Sequence, residues 1–166
     1  IRRCYLVLKT TFFDHDFLPH FGEIPFIYVK NEKQVCGTPD IIIKKVSNHD
    51  YIILDYKVSY FRNFKAYKKK SAIMQLNIYY LMLQQYLQNQ LNLTSDDYTI
   101  ELKVMVGDFS VMKWEIIHIE IISTFKNTLN SWISTSTPTN NFVLEHNDSS
   151  SSEITFAEAY QSRLNG

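Results

Sequence analysis

The sequence predicts an α/β (α+β) fold built on a central mixed β-sheet with helices packed against it. Three observations carry that expectation. Ile41 to Val46 and Tyr51 to Val58 are nearly unbroken apolar runs separated by Ser47-Asn48-His49-Asp50, the pattern of paired strands covered on both faces. From Ser71 to Leu91, the residues Ile73, Leu76, Tyr80, Leu83 and Leu87 keep the three-and-four spacing of one buried helical stripe. Tyr98 to Val106 then alternates, with Tyr98, Ile100, Leu102, Val104 and Val106 on one face and Thr99, Glu101 and Lys103 on the other, which reads as a half-buried strand.

The remaining elements fall around these. Phe12 to Phe21 reads as an irregular aromatic stretch. Ile24 to Lys30 is β-branched and aromatic enough for a strand. A turn at Asn31-Glu32-Lys33 leads to a second strand over Gln34 to Gly37, so three or four strands are expected in meander order. Gly107-Asp108 suits a hairpin turn into a strand over Phe109 to Ile117. A helix follows from His118 to Ile133, with Ile122, Phe125, Leu129 and Trp132 on its buried side. These elements define a core domain over residues 1–133. Residues 134–152 are polar and of low complexity, as expected of a loop or tether. Ser150 to Glu153 resembles a capping box that opens a short helix over 153–166.

The bulk numbers narrow the class. A chain of 166 residues is one domain on length, able to bury roughly 70% of its unfolded surface. With a formal net charge of zero, recognition of nucleic acid must come from local clustering of charge. Two cysteines, Cys4 and Cys36, cannot supply the four ligands of a common iron–sulfur cluster or a four-cysteine zinc site, so no iron–sulfur cluster is expected. Nothing in the chain resembles a disulfide-framed secreted module, so an intracellular, reducing compartment is the expectation. No apolar run reaches the roughly 18–20 residues of a membrane span, and no membrane partner is expected. The chain starts at Ile1 rather than Met, as a processed product or a piece of a longer protein would.

The chemistry-bearing residues lie in three short runs: Gly37 to Ile43, Ile53 to Lys57 and Gln75 to Tyr79. Asp55 and Lys57 are two apart on a strand, so their side chains leave the same face. Asp40 follows Pro39 at the mouth of the preceding strand. Hairpin pairing of the two strands brings it beside Asp55. Two converging carboxylates repel unless a cation joins them, and Mg2+ or Mn2+ takes such oxygen ligands. A nearby ammonium can hold the attacking water and offset developing negative charge. The competing reading of Asp55 and Lys57 is an exposed ion pair beside a turn.

Pro39-Asp40, then Asp55-Tyr56-Lys57 at the end of a hydrophobic strand, resembles the signature of the PD-(D/E)XK nuclease superfamily. Gln75 and Tyr79, four apart on a helix, resemble the glutamine–tyrosine motif of its RecB-like exonuclease branch. The likeness spans about residues 23–87. It implies a restriction-endonuclease-like core and metal binding by Asp40, Asp55 and the Tyr56 carbonyl. It also implies a catalytic Lys57, with Gln75 and Tyr79 organising the site or substrate. Glu23 is the candidate for an upstream catalytic and metal-binding acid, and His20 for an additional histidine ligand. The implied activity is divalent-metal-dependent hydrolysis of phosphodiester bonds, with DNA favoured over RNA. A fused or associated helicase, or a replication or repair protein, is the implied class of protein partner.

Tyr60 to Lys70 concentrates base and aromatic residues immediately after Lys57. Arg62, Lys65, Lys68, Lys69 and Lys70 suit phosphates, and Tyr60 and Tyr67 suit stacked bases. Two other readings stand beside the DNA nuclease. Thr38-Pro39-Asp40 and Asp55 to Ser59 also resemble the cap-snatching RNA endonuclease of segmented negative-strand viruses, although the glutamine–tyrosine pair is not usual there. The second is a catalytically inactive nucleic-acid-binding or assembly module on the same fold. No glycine loop for nucleotide phosphates and no nucleophile-elbow pattern occurs.

Overall fold

The computed structural model describes residues 17–22 and 25–136. A five-stranded sheet forms the centre: β1 (Phe17–Gly22), β4 (Ile41–Lys45), β5 (Asp50–Val58), β6 (Thr99–Asp108) and β7 (Lys113–Ile119), adjacent in that order. Strands β2 (Phe26–Lys30) and β3 (Lys33–Gly37) form a separate hairpin. Antiparallel β1–β4, β4–β5 and β6–β7 pairs flank one parallel pair, β5–β6. The sheet is therefore mixed, as the sequence predicts.

A parallel pair needs a long crossover, and the helical segment between β5 and β6 provides it. It opens with one turn, α1 (Phe61–Asn63), continues as a π-helical turn over Phe64–Lys68, and becomes α2 (Lys69–Gln90). Phe64, Ala72, Leu76, Tyr79, Leu83 and Leu87 are buried. Ile53, Leu102, Val104 and Val106 in β5 and β6 are fully buried. The opposite sheet face carries a second cluster of Ile43, Ile52, Leu54 and Met105, extended by Tyr56 and Trp114. The central strands are thus apolar on both faces for a physical reason: both faces are buried.

Tertiary context moves several boundaries. Residues 17–22 form strand β1 where the sequence suggested irregular structure, because β4 offers a partner edge. The expected meander divides, with the β2–β3 hairpin forming its own sheet beside α2. There the Gln85 amide bonds both the N–H and C=O of Val29, at 2.8 and 3.0 Å. Asn31 and Glu32, both with positive φ, form the two-residue turn that matches strand twist. Gly107 and Asp108 lie in β6 rather than in a turn. Gly107 is opposite Trp114, and a Cβ there would collide with the indole ring. Residues 109–112 make the turn instead, with Met112 at positive φ.

His118 and Ile119 belong to β7, so the last described helix begins later than expected. This is α3 (Phe125–Thr135), which buries Phe125, Leu129 and Ile133. Trp132 and Ile122 are 44% and 39% exposed, correcting their assignment to the buried stripe. Residues 134 and 135 continue the helix, and Lys33 donates to the carbonyls of Ile133 and Ser136 at its end, a cation at the negative pole of the helix. The chain divides into units at Ser136/Thr137; the rest of the expected tether and the expected C-terminal helix lie outside the described residues. Among the described residues, no helix is long and apolar enough to cross a membrane.

Candidate active site

The register of β4 on β5 sets Ile41 opposite Leu54, which brings Asp40 to the level of Asp55. The Asp40 carboxylate accepts a hydrogen bond from the Tyr56 N–H at 2.7 Å. Pro39 fixes the entry to this position by restricting the backbone before β4. Asp55 is 2% exposed, one of three buried polar residues among those described.

Lys57 reaches Asp55 with Nζ 2.7 Å from Oδ2. Oδ2 is nevertheless buried without an aligned hydrogen-bond donor among the described residues. It receives charge compensation but not the directional bonds that normally accompany burial. Burial pushes the Asp55 carboxyl up to about 6; contact with Lys57 opposes the rise and the Asp40 carboxylate adds to it. An exposed surface ion pair, the competing reading of these two residues, does not describe a carboxylate sealed in this way.

A chain of hydrogen bonds holds the ammonium in place. Lys57 Nζ donates to Gln75 Oε1 at 3.2 Å, Gln75 Nε2 donates to the Tyr79 hydroxyl at 2.9 Å, and that hydroxyl donates to the Thr38 carbonyl at 3.2 Å. Thr38 lies two residues before Asp40, so the chain that starts at Lys57 in β5 ends in the loop that carries Asp40. The helical spacing of Gln75 and Tyr79 allows this because residues four apart share a helix face. Gly37 makes room for it: a Cβ there would lie 2.7 Å from the Tyr79 ring.

The donor set suits a hard divalent cation in chemistry, since Asp40, Asp55 and the Tyr56 carbonyl all present oxygen. Among the described residues there is no cluster of three or more His, Cys, Asp or Glu side chains able to hold a metal. The side chains of the two further candidates, Glu23 and His20, lie outside the described residues. The backbone of His20 falls at the register shift between Pro19 and Phe21 in β1, next to β4.

Tyr60, Arg62, Lys65, Tyr67, Lys68, Lys69 and Lys70 are all exposed. Lys65 is paired with Glu115 at 3.1 Å. Arg62, Lys68, Lys69 and Lys70 make no ion pair with a described residue. Phe64, in the same stretch, is wholly buried, so the aromatics divide between anchoring the helix and facing solvent.

Sequence reasoning missed three supports. Asp108 accepts the Phe61 N–H at 2.9 Å and starts the crossover helix. Asn77, buried on α2, donates to the carbonyls of Ile73 and Glu120 and accepts from the Ile122 N–H. Gly37 provides the space for Tyr79. Asn77 left a signal, a polar residue beside the apolar stripe; Asp108 resembled a turn residue and left none.

No protein-family model and no curated protein matches the chain. A solved structure, the crystal structure of SSO0001, superposes with a TM-score of 0.48 at 14% identity, over 83% of this chain and 58% of that one. The chain thus spans a little over half the length of that structure. A likeness at this level bears on neither family nor activity.

Proposed function

We propose that the chain is a divalent-metal-dependent nuclease of the PD-(D/E)XK type, related to the RecB-like branch, that hydrolyses phosphodiester bonds of DNA. One observation carries the proposal: Asp55 is buried beside Asp40 with an oxygen that finds no aligned donor among the described residues, while the Lys57 ammonium lies 2.7 Å from it and is steered by Gln75. A purely structural carboxylate would be better served by donors, and a purely structural lysine would need no positioning chain.

Asp40, Asp55 and the Tyr56 carbonyl would hold Mg2+ or Mn2+, which supplies an activated water and neutralises charge on the phosphoryl oxygens. The Lys57 ammonium orients that water or meets the developing negative charge beside it. Gln75 fixes the Lys57 side chain, and Tyr79 fixes Gln75. The exposed cations Arg62, Lys68, Lys69 and Lys70 hold flanking phosphates, which makes binding sensitive to salt despite the neutral chain.

The test is incubation of wild type, Asp55→Ala and Lys57→Ala with end-labelled single- and double-stranded DNA and RNA, with Mg2+, Mn2+ or chelator. Metal-dependent cleavage of DNA by wild type alone supports the reading. Cleavage restricted to RNA moves the chain to the cap-snatching type. Nucleic-acid binding without cleavage, in folded and metal-loaded protein, leaves the inactive binding module.

A further inference from the structure

Beyond the carboxyl ends of the parallel strands β5 and β6 lies a half-open groove of about 490 Å3. Val58, Ser59, Tyr60, Asn63 and Lys68 line it together with Asp108, Phe109 and Ser110. Ligands of open α/β sheets gather at the carboxyl ends of strands, and this volume falls in the range of small-molecule sites. Ser59 is two residues past Lys57, about 7 Å along an extended chain. The groove therefore adjoins the candidate catalytic centre.

The geometry points to this groove as the seat of one unpaired DNA base next to the scissile phosphate. This rests on the nuclease reading and adds to it a preference for single-stranded substrate. Tyr60 and Phe109 are 60% and 52% exposed; Phe109 is braced by a perpendicular contact with Trp114 at 5.9 Å between ring centres, and both rings offer aromatic surface on which a base can stack. The polar lining suits a base better than a phosphate. Asp108 is a carboxylate and repels anions, whereas the exposed Asn63 offers both a donor and an acceptor to a base edge. Lys68 makes no ion pair with a described residue and serves the phosphate. A base within a duplex is paired and stacked on both sides, so only an unpaired or extruded one can enter.

The π-helical turn assembles this wall. In an α-helix, residues five apart are turned roughly 140° from each other. In the π-turn the Lys69 N–H bonds to the Phe64 carbonyl five residues back, so residues five apart lie closer to one face than they would in an α-helix. Asn63 and Lys68 are five apart and line one groove. After the turn, α2 resumes at the angle that presents Gln75 to Lys57.

The experiment measures fluorescence anisotropy in an Asp55→Asn background, which separates binding from cleavage. The probes are a labelled 12-nucleotide single strand, the same strand with abasic sites, a blunt duplex, and an RNA of matching sequence. Tyr60→Ala and Phe109→Ala are each expected to weaken single-strand binding about ten-fold while leaving the abasic strand and duplex unchanged. Lys68→Ala should instead lower the salt slope by about one on every probe. Circular dichroism confirms folding, which substitutions at half-exposed positions should preserve. Equal affinity for normal and abasic strands, full retention of single-strand affinity in both aromatic variants, or binding to RNA alone would overturn the assignment. Base-dependent binding without cleavage by metal-loaded wild type would defeat the nuclease reading and leave the groove standing. Cleavage with no effect of the aromatic variants would do the reverse.

Discussion

Asp55 and Asp108 are both buried aspartates on the α2-facing side of neighbouring parallel strands, yet their surroundings are opposite. The Asp108 carboxylate accepts from the Ser110 hydroxyl and N–H and from the Phe61 N–H. Those bonds hold it below the usual carboxylate range. Asp55 has the Lys57 ammonium but an oxygen without an aligned donor among the described residues, and burial raises it to about 6. Hydrogen bonds to the charged form make a carboxylate comfortable, and desolvation without them makes it costly. Asp108 is built to stabilise the fold. Asp55 is held at the expense of stability, as functional groups often are.

The sharpest way to break this contrast is to remove each carboxylate in turn. Asp55→Asn and Lys57→Ala should each lower metal-dependent cleavage by at least about 10³-fold, the scale of losing a catalytic charge. Asp108→Asn should retain the chemistry but lower Tm, because the crossover helix loses its start. A cleavage-dead Asp108→Asn protein with unaltered Tm would erase the distinction.

The second largest effect belongs to the space behind the positioning chain. Gly37→Ala places a methyl 2.7 Å from the Tyr79 ring, and such overpacking costs about 1–3 kcal/mol. Displaced Tyr79 also releases Gln75, so kcat should fall while KM changes little. Denaturant melts and steady-state kinetics measure the two consequences. Wild-type kcat in the alanine variant would show that Lys57 needs no steering.

The third contrast is with pH, in metal-free protein. Asp55 carries about 6 in the folded state against an ordinary 3.8, so the fold prefers the protonated form. The stability this gives is complete below pH 4 and lost as pH rises through 6. Wild type should therefore match Asp55→Asn near pH 4 and be less stable by about 1–2 kcal/mol at pH 8, with solvent screening included. Urea melts in chelator across that range measure the difference, which must grow with pH. Mg2+ should then raise the Tm of wild type and not of Asp55→Asn.

The sequence made the central strands, α2 and the hairpin register legible because periodicity and turn residues are local signals. The same register placed Asp40 beside Asp55 before any coordinates. Boundaries governed by distant partners were not legible. Strand β1 exists as an edge to β4, and Gly107 is a strand residue because of Trp114, seven positions along and across a turn. The π-turn left no signature in composition, yet it brings Asn63 and Lys68 to one groove. Asp108 shows the same limit at the level of one residue: its role depends on an N–H 47 positions earlier.

The smallest effect tests how far the contrast between the aspartates extends along the hydrogen-bond chain. Tyr79→Phe removes only the hydroxyl, which links Gln75 to the Thr38 carbonyl. The phenyl ring still fills the space against Gly37, so stability should fall by only about 1 kcal/mol. If the chain positions Lys57, loss of its anchor lets Gln75 rotate and kcat should drop several-fold, with KM nearly unchanged. Gln75→Glu gives the complementary measurement, because it keeps an acceptor for Lys57 while exchanging the amide for a charge that competes with Asp55. A hydroxyl that mattered only to folding would alter Tm in Tyr79→Phe and leave kcat alone. A several-fold fall in kcat at nearly constant Tm means that the tyrosine acts on Asp55 through Lys57, over two hydrogen bonds and one ion pair and without touching substrate.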